Sequence, residues 1–492
     1  MKKVFIQLHK ISGIALCLIF TIWFFSGIML IFTGFPRFKK AEAFDRLQTF
    51  TPASIKDIAF PENLPQGGLT IEMRNNKAVY IINKKSGKTI YDAHALDSLA
   101  KPTREACIAT AQQLVNAPIL KIEERADVDI WTPRKSYISL LPFYKVYFND
   151  RNKTQVYVSV QNGEIIQKTT RATRISAYLG AIPHYAIFNY LSIKHPVWKS
   201  VLIALIITGF IVSLSGIIVG FVRMRRGKGF KGITPFKNPW YKWHHLAGIF
   251  FGIFALTFTI SAYVLQEGVP QWIAKDKVKI DYAKKWEGKK IKRHAYETSF
   301  PALLRYVSHL NGVKQIEFSS LFGKPCYAIY SNSYAEKSVV LCESDSVRLL
   351  KAIPTEEIIK YAHAVFDSIG IKSISSQNKH DLYYTYTQMG SHPLPVYRVE
   401  LQDANRSVVF IAPLTGEITY ILDNENRAQS WLFSALHTFN IGWLNRHATI
   451  RQILLCMVCL AGIIISVSGI VLSAKWIARK RKKFCRKKAS EN

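Results

Sequence analysis

Residues 435–470 read ALHTFNIGWLNRHATIRQILLCMVCLAGIIISVSGI, and residues 182–217 read IPHYAIFNYLSIKHPVWKSVLIALIITGFIVSLSGI. Each stretch opens on a histidine, His437 or His184, and runs through a long apolar segment to a Ser-Gly pair. The two align without a gap at an offset of 253, and the match extends upstream to residue 144. Tyr144 meets Tyr397, Asp150 meets Asp403, Asn152 meets Asn405 and Arg174 meets Arg427. The turn Asn162-Gly163-Glu164-Ile165 meets Thr415-Gly416-Glu417-Ile418. A second match, at an offset of 235, sets His9, Gly13 and Ser26 against His244, Gly248 and Ser261. The chain therefore reads as written twice, each copy an apolar helix, a polar domain and a second apolar helix. Such duplication places paired residues at equal depth about a pseudo-twofold axis.

Four apolar runs, near 11–34, 197–222, 246–266 and 451–474, are each long enough to cross hydrocarbon, which takes about 20 helical residues. They are too free of charge to be buried helices of a soluble protein. Lysine and arginine orient them. The loop 223–243 carries Arg223, Arg225, Arg226, Lys228, Lys231, Lys237 and Lys242 with no acidic residue. The tail from residue 475 is equally basic, with Glu491 as its one acid. Both segments, and Lys2, Lys3 and Lys10, are expected in the cytoplasm, so both termini are cytoplasmic. Spans are expected over 1–34, 197–222, 244–266 and 451–474, with basic inner segments over 223–243 and 475–492. The segments 35–196 and 267–450 then lie outside, in a periplasm if the source is a Gram-negative bacterium. Ala41-Glu42-Ala43 resembles a signal-peptide cleavage site, but the apolar stretch is long and Arg37, Lys39 and Lys40 intervene, so the first helix is expected to be retained.

The formal charge of +33 has a topological explanation on the inner side, where basic residues meet anionic lipid. The outer surplus reads either as attraction for anionic ligands or the membrane surface, or as the mark of a lysine-rich genome. No nucleic-acid partner is expected. Of seven cysteines, Cys456 and Cys459 have redox-motif spacing but lie within an apolar helix and read as packing. Cys326 and Cys342 flank a hairpin turn around 331–336, which makes them candidates for an extracytoplasmic disulfide.

The outer segments share one order: a Pro-Thr helix start at Pro102-Thr103 and Pro354-Thr355, then alternating strands joined by polar turns. The expected fold is α+β, one helix against a small antiparallel sheet in each. No hydrolase or metalloprotease motif occurs, and His363 on an amphipathic helix reads as a surface or core residue. The inner segments are too short to hold a flavin or nicotinamide domain.

Histidines in membrane helices are costly and face a cavity or a partner. His9 and His244 each precede a glycine by one helical turn, which leaves room for a flat macrocycle against the helix. Paired imidazoles suit a low-spin, electron-transferring b-type haem. His9 and His244 lie at the inner edge, and His184 and His437 at the outer edge. The simplest arrangement is one haem on each side, two in all. His245 is an alternative ligand to His244. His195 and His447 miss the repeat register by one residue and read as interfacial. Trp23, Phe24 and Phe25 line a porphyrin or face lipid, and lipid is the simpler reading.

Leu8-His9-x-x-x-Gly13 with Ser26-Gly27 resembles the first helix of PepSY-associated transmembrane proteins, as does Trp243-His244-x-x-x-Gly248. Ala435-Leu436-His437-Thr438-Phe439 with Ser468-Gly469 resembles their closing unit. Val396-Tyr397-Arg398-Val399 through Thr415-Gly416-Glu417-Ile418 resembles a PepSY domain. The resemblance implies a membrane protein of four transmembrane α-helices in two parallel repeats, each with an extracytoplasmic α+β PepSY-like domain inserted between its two helices. It implies a bacterial inner-membrane location and, by similarity to ferric-siderophore reductases, a di-haem protein with His9, His184, His244 and His437 as ligands. The substrate implied is a ferric siderophore or similar chelate, and the electron donor a quinol or a separate flavoprotein. Two rivals stand beside this. One is a membrane-anchored PepSY module that restrains a periplasmic peptidase. The other, a transporter subunit, is disfavoured by how few polar groups the helices carry beyond serine and threonine.

Overall fold

The computed structural model describes residues 2–84, 87–187, 196–224, 233–274, 280–288, 291–387 and 390–489. His195 lies outside them, as do Arg225, Arg226, Lys228 and Lys231 of the basic loop. The chain forms two units. A helical unit gathers Met1–Phe35, Ala172–Lys277 and Glu425–Asn492, and a sheet unit gathers Pro36–Arg171 and Val278–Asn424.

The helical unit is built on α1 (Lys2–Phe32), α2 (Ala181–His184), α3 (Pro196–Arg223), α4 (Pro239–Glu267), α5 (Leu436–Thr438) and α6 (Ala448–Ala489). Four of these, α1, α3, α4 and α6, are long and apolar enough to cross a membrane. The protein is a multi-pass membrane protein. The helices outrun the apolar runs for local reasons. Asn238 caps α4, its side chain accepting from the Trp240 amide at 3.1 Å, and Pro239 sits at the first helical position, where its missing N–H costs nothing. The lysines and arginines after residue 475 are good helix formers and carry α6 on to Ala489.

These four helices close into a ring. α1 packs on α3 and α6, and α4 packs on the same two from the opposite side. Lipid tails supply no hydrophobic drive between such helices, so close approach at small residues matters. Gly462 of α6 shows it: a Cβ there would lie 2.6 Å from ring carbons of Phe24. Phe24 therefore turns into the bundle, 8% exposed, while Phe25 faces outward. Trp23 packs beside Ala186, Leu202 and Ile206. Lipid exposure, expected for all three aromatics, holds for Phe25 and fails for Phe24.

The sheet unit holds a seven-stranded and two four-stranded antiparallel sheets. The large sheet has the order β11-β10-β9-β8-β1-β2-β3, from Val347–Leu349, Lys337–Cys342, Lys324–Tyr330, Gln315–Leu321, Gly68–Arg74, Lys77–Lys84 and Gly87–Asp92. Both of the long segments between spanning helices contribute to it, joined at β1 and β8 where Ile71 pairs with Ile316. The two smaller sheets are β4-β5-β6-β7 (Ile119–Arg125, Phe143–Phe148, Gln155–Ser159, Ile165–Thr169) and β12-β15-β16-β17 (Ile371–Gln377, Val396–Leu401, Val408–Ile411, Ile418–Leu422). A two-stranded ribbon of β13 (Tyr386–Thr387) and β14 (Gly390–Ser391) lies between β12 and β15. Each small sheet has its own helix. Cys107 and Ala111 of Arg104–Leu114 pack on Val146, Val156 and Val158, and Ile358, Ala362 and Phe366 of Thr355–Phe366 pack on Val399, Val409 and Ile411. These are the two helix-on-sheet domains expected from the sequence; the shared sheet is an addition to them.

Two local expectations change. Thr103 caps its helix, accepting from the Ala106 amide at 3.2 Å, but Thr355 does not cap, and its hydroxyl instead meets that of Tyr397 at 2.5 Å. Cys326 and Cys342 are both free. Cys326 pairs with Leu341 across β9 and β10, so the cysteines differ by one residue in register and point to opposite faces. Cys326 joins the core with Val339 and Leu341, whereas Cys342 packs with Val340 and Tyr327 on the other side. His363 is exposed, as expected.

Backbone geometry agrees at matched positions. Leu141-Pro142 and Leu394-Pro395 are both cis, and Gly163 and Gly416 have φ of 70° and 68°. Asp150 accepts from the Thr154 amide at 2.6 Å and its hydroxyl at 2.7 Å; Asp403 accepts from the Ser407 amide and hydroxyl, both at 2.6 Å. Burial pushes both carboxyls up, but these hydrogen bonds outweigh it and hold both below the usual Asp value. A depressed carboxyl contributes its stability above the unfolded pKa of about 3.9 and loses it as pH falls through the folded value. The melting temperature of the detergent-solubilised chain is therefore expected to drop below about pH 4. Asp150→Asn and Asp403→Asn should each cost about 1–3 kcal/mol at pH 6 and flatten that acid limb. An acid limb unchanged in the double variant would refute the assignment.

Candidate functional site

The helical unit brings the four register-keeping histidines together as two pairs. His9 of α1 and His244 of α4 face each other across the ring, with ring centroids 6.1 Å apart and planes at 52°. His184, ending α2, and His437 in α5 form the second pair, at 6.0 Å and 79°. Matched local structure positions the second pair. Ala186 and Phe439, each two residues after its histidine, both have φ of 51°, a left-handed conformation that side chains other than glycine adopt only under tertiary constraint. A π-helical turn, Ser430–Ala435, leads into His437, and such turns are common at functional sites. Phe433 stacks on the His437 ring at 5.3 Å, and Phe258 approaches it at 5.2 Å.

Each ring is oriented by a neighbouring helix through Nδ1. His9 Nδ1 donates to the Val212 carbonyl at 3.0 Å. His244 Nδ1 reaches the Ile465 carbonyl and the Ser468 hydroxyl, both at 3.0 Å. His184 Nδ1 lies 3.2 Å from both the Trp23 carbonyl and the Ser26 hydroxyl. His437 Nδ1 lies 2.8 Å from the Ser261 hydroxyl. A carbonyl only accepts, so it fixes the proton on Nδ1. Ser261 spends its own proton on the Phe258 carbonyl at 2.9 Å, so its oxygen accepts as well. In all four neutral rings the lone pair is then on Nε2, which makes no hydrogen bond to a described residue. This is the pattern of a metal-ligating histidine, whose second nitrogen is bonded to a carbonyl or similar acceptor.

The spacing agrees with that chemistry. A metal ion held about 2 Å from one nitrogen of each ring sets the two centroids about 6 Å apart. Two nitrogen donors per ion leave the remaining positions to be filled by another group, and the bundle has room for one. A cavity of about 380 Å³ opens beside the first pair, lined by His9, His244, Gly13, Gly248, Phe20 and Phe24 among others. A Cβ at Gly248 would meet nothing within 4 Å, so the glycine one turn after His244 faces open space, as expected for a macrocycle lying against the helix. These residues fit a haem.

His245 does not join its neighbour. Its Nε2 lies 3.0 Å from the Gly220 carbonyl, and its ring meets the edge of Phe236 at 5.3 Å. One residue along a helix turns the side chain by about 100°, and that rotation carries His245 toward α3 and away from the His9 ring. Of the two candidates, His244 is therefore the one whose ring faces His9. His447 is exposed and its ring lies tilted against Trp443, centroids 4.5 Å apart, and it joins neither pair.

The structure adds residues whose role the sequence did not disclose. Ser26, Ser261 and Ser468 orient the histidines; in the sequence all three stand out only through the repeat and the family resemblance. Phe24 lines the cavity beside His9 and His244, its ring centroid lies 6.3 Å from that of Phe258, and the Phe258 centroid lies 5.2 Å from that of His437. The sequence matches the family described as the PepSY-associated TM region over residues 6–303. No curated protein matches it.

Proposed function

The chain belongs to the PepSY-associated transmembrane family, and we propose that it is an inner-membrane electron-transfer protein carrying two b-type haems. His9 and His244 hold one and His184 and His437 the other. The observation that carries this is the double pairing: four histidines, two centroid distances near 6 Å, and every Nδ1 committed to a carbonyl or serine. Bound haem would supply a one-electron iron couple on each side of the bilayer. The spans are taken as two parallel repeats, with a PepSY-like domain on the periplasmic side of each and both termini in the cytoplasm. The basic residues of 223–243 and 475–492 support that orientation.

The role proposed is reduction of a ferric siderophore or similar chelate at the periplasmic face. One electron from a quinol or a flavoprotein converts the chelate's Fe(III) to Fe(II), which hard oxygen donors hold less tightly, and iron is released. The chain's residues contribute dry, preorganised binding sites: rings fixed by α3, α6 and the serines, and an interior closed by Phe20, Phe24 and Phe258. A pyridine haemochromogen assay on the purified chain, produced in haem-supplied cells, is expected to give two b-type haems per chain. Absence of haem absorbance would refute the proposal.

A further inference from the structure

The cavity beside His9 and His244 is apolar along most of its wall, but one end is lined by Lys10, Arg223, Tyr241 and Trp476. Lys10 is half-buried, with its Nζ held 4.2 Å from the centre of the Trp476 ring. Arg223 is the last residue of α3. Neither cation forms an ion pair with a described carboxylate. None is near in sequence either: the first acid of the chain is Glu42, and residues 223–266 contain none. Within the four spanning helices the one acid among the described residues is Glu267, at the far end of α4, and Lys199 takes it at 3.1 Å.

Lys10 is half-buried and Arg223 exposed, so the two cations stand at the mouth of this apolar cavity, where they attract an anionic group. None of the described residues supplies that group, so it comes with the occupant. Both cations line the space that the histidine pair opens onto, so the occupant they meet is the one the histidines hold. A b-type haem is a flat apolar macrocycle with two carboxylates on one edge, which matches a cavity apolar along its wall and cationic at one end. We infer that Lys10 and Arg223 bind the two propionate carboxylates of the inner haem and set its orientation, carboxylate edge toward the N-terminal end of α1. This rests on the haem assignment above. Arginine takes a carboxylate through two parallel N–H groups and lysine takes it as a point charge, so the two contacts are expected to differ in strength, Arg223 being the stronger.

The test compares haem with its dimethyl ester, which keeps the iron and the ring and lacks both charges. Full-length chain carrying His437→Ala, made in haem-deficient cells, leaves the inner pair to report through its bis-imidazole absorption band. The His437→Ala chain is expected to prefer haem over the ester by at least about tenfold, since each charged hydrogen bond contributes at least that ratio. Lys10→Met with Arg223→Met is expected to abolish the preference while still binding the ester. Lys10→Arg and Arg223→Lys retain it, which separates a lost charge from a misfolded bundle. Equal affinity for both porphyrins in the unsubstituted pocket would overturn the inference, leave the haem assignment standing, and return the cations to lipid phosphates. Binding of neither porphyrin would overturn both.

Discussion

Replacing His244 with alanine is expected to lower the haem content from two per chain to one. On the haem assignment His9 and His244 would hold this haem together, their rings 6.1 Å apart centroid to centroid, and His9 alone would hold it weakly. The outer pair is built on α2 and α5 from different helices' serines, so its absorption should persist. The same substitution at His245 is expected to leave two haems, because that ring bonds the Gly220 carbonyl and faces α3. Electron transfer from the inner side to a ferric chelate should fall by at least about 10³-fold in His244→Ala, given that the inner redox centre is removed outright rather than detuned. Haemochromogen content and reduced-minus-oxidised spectra of the two variants, measured side by side, decide this. Loss of haem from His245→Ala with retention in His244→Ala would reverse the ligand assignment. Unaltered function in a His9→Ala, His437→Ala double variant would instead favour a membrane-anchored module whose histidines are incidental.

The spans and the four ligand candidates were legible in the sequence because each rests on a linear signal. Length and lack of charge mark a membrane helix, and two offsets, 235 and 253, pick out His9 with His244 and His184 with His437 from the remaining histidines. Features that depend on rotation or on distant pairing were not legible. Trp23, Phe24 and Phe25 are equally apolar, and neighbours on a helix differ by about 100°; which one turns inward is decided by Gly462 on another helix. Ser26, Ser261 and Ser468 look like ordinary small residues that back-bond to their own helix, and each does so. Their second role exists only once α2, α4 and α5 bring imidazoles against them. The seven-stranded sheet joins Ile71 to Ile316, a pairing between strands that lie outside the matched repeat, so no offset pointed to it. Parity explains the cysteines: residues that flank a hairpin turn share a face only in matching register, and one residue of register sends Cys326 and Cys342 to opposite faces.

Gly216→Ala is expected to strip the inner haem, whereas Gly469→Ala is expected to leave it. The two glycines match in the repeat and follow matching serines, yet their surroundings differ. A Cβ at Gly216 would lie 2.7 Å from Cε1 and 3.0 Å from Nδ1 of His9, closer than packed carbons approach, whereas at Gly469 the nearest atoms, Cβ of Cys17 and Cε1 of His244, are 3.5 and 3.6 Å away. The His9 ring cannot simply swing aside. Its Nδ1 is bonded to the Val212 carbonyl on the same face of α3, so a methyl group at 216 forces that bond to break and turns Nε2 off its partner. Loss of an orienting bond of this kind costs about 10–100-fold in metal affinity, and overpacking of the bundle adds about 1–3 kcal/mol of strain. At Gly469 the added methyl falls at ordinary contact distance, and both bonds that His244 Nδ1 donates, to the Ile465 carbonyl and the Ser468 hydroxyl, survive. The contrast separates crowding of the ligand from a general intolerance of bulk at Ser-Gly positions. Haem retention after gel filtration, with helicity by circular dichroism as the folding check, reads it out. Equal loss in both variants would mean that the glycines serve helix packing alone.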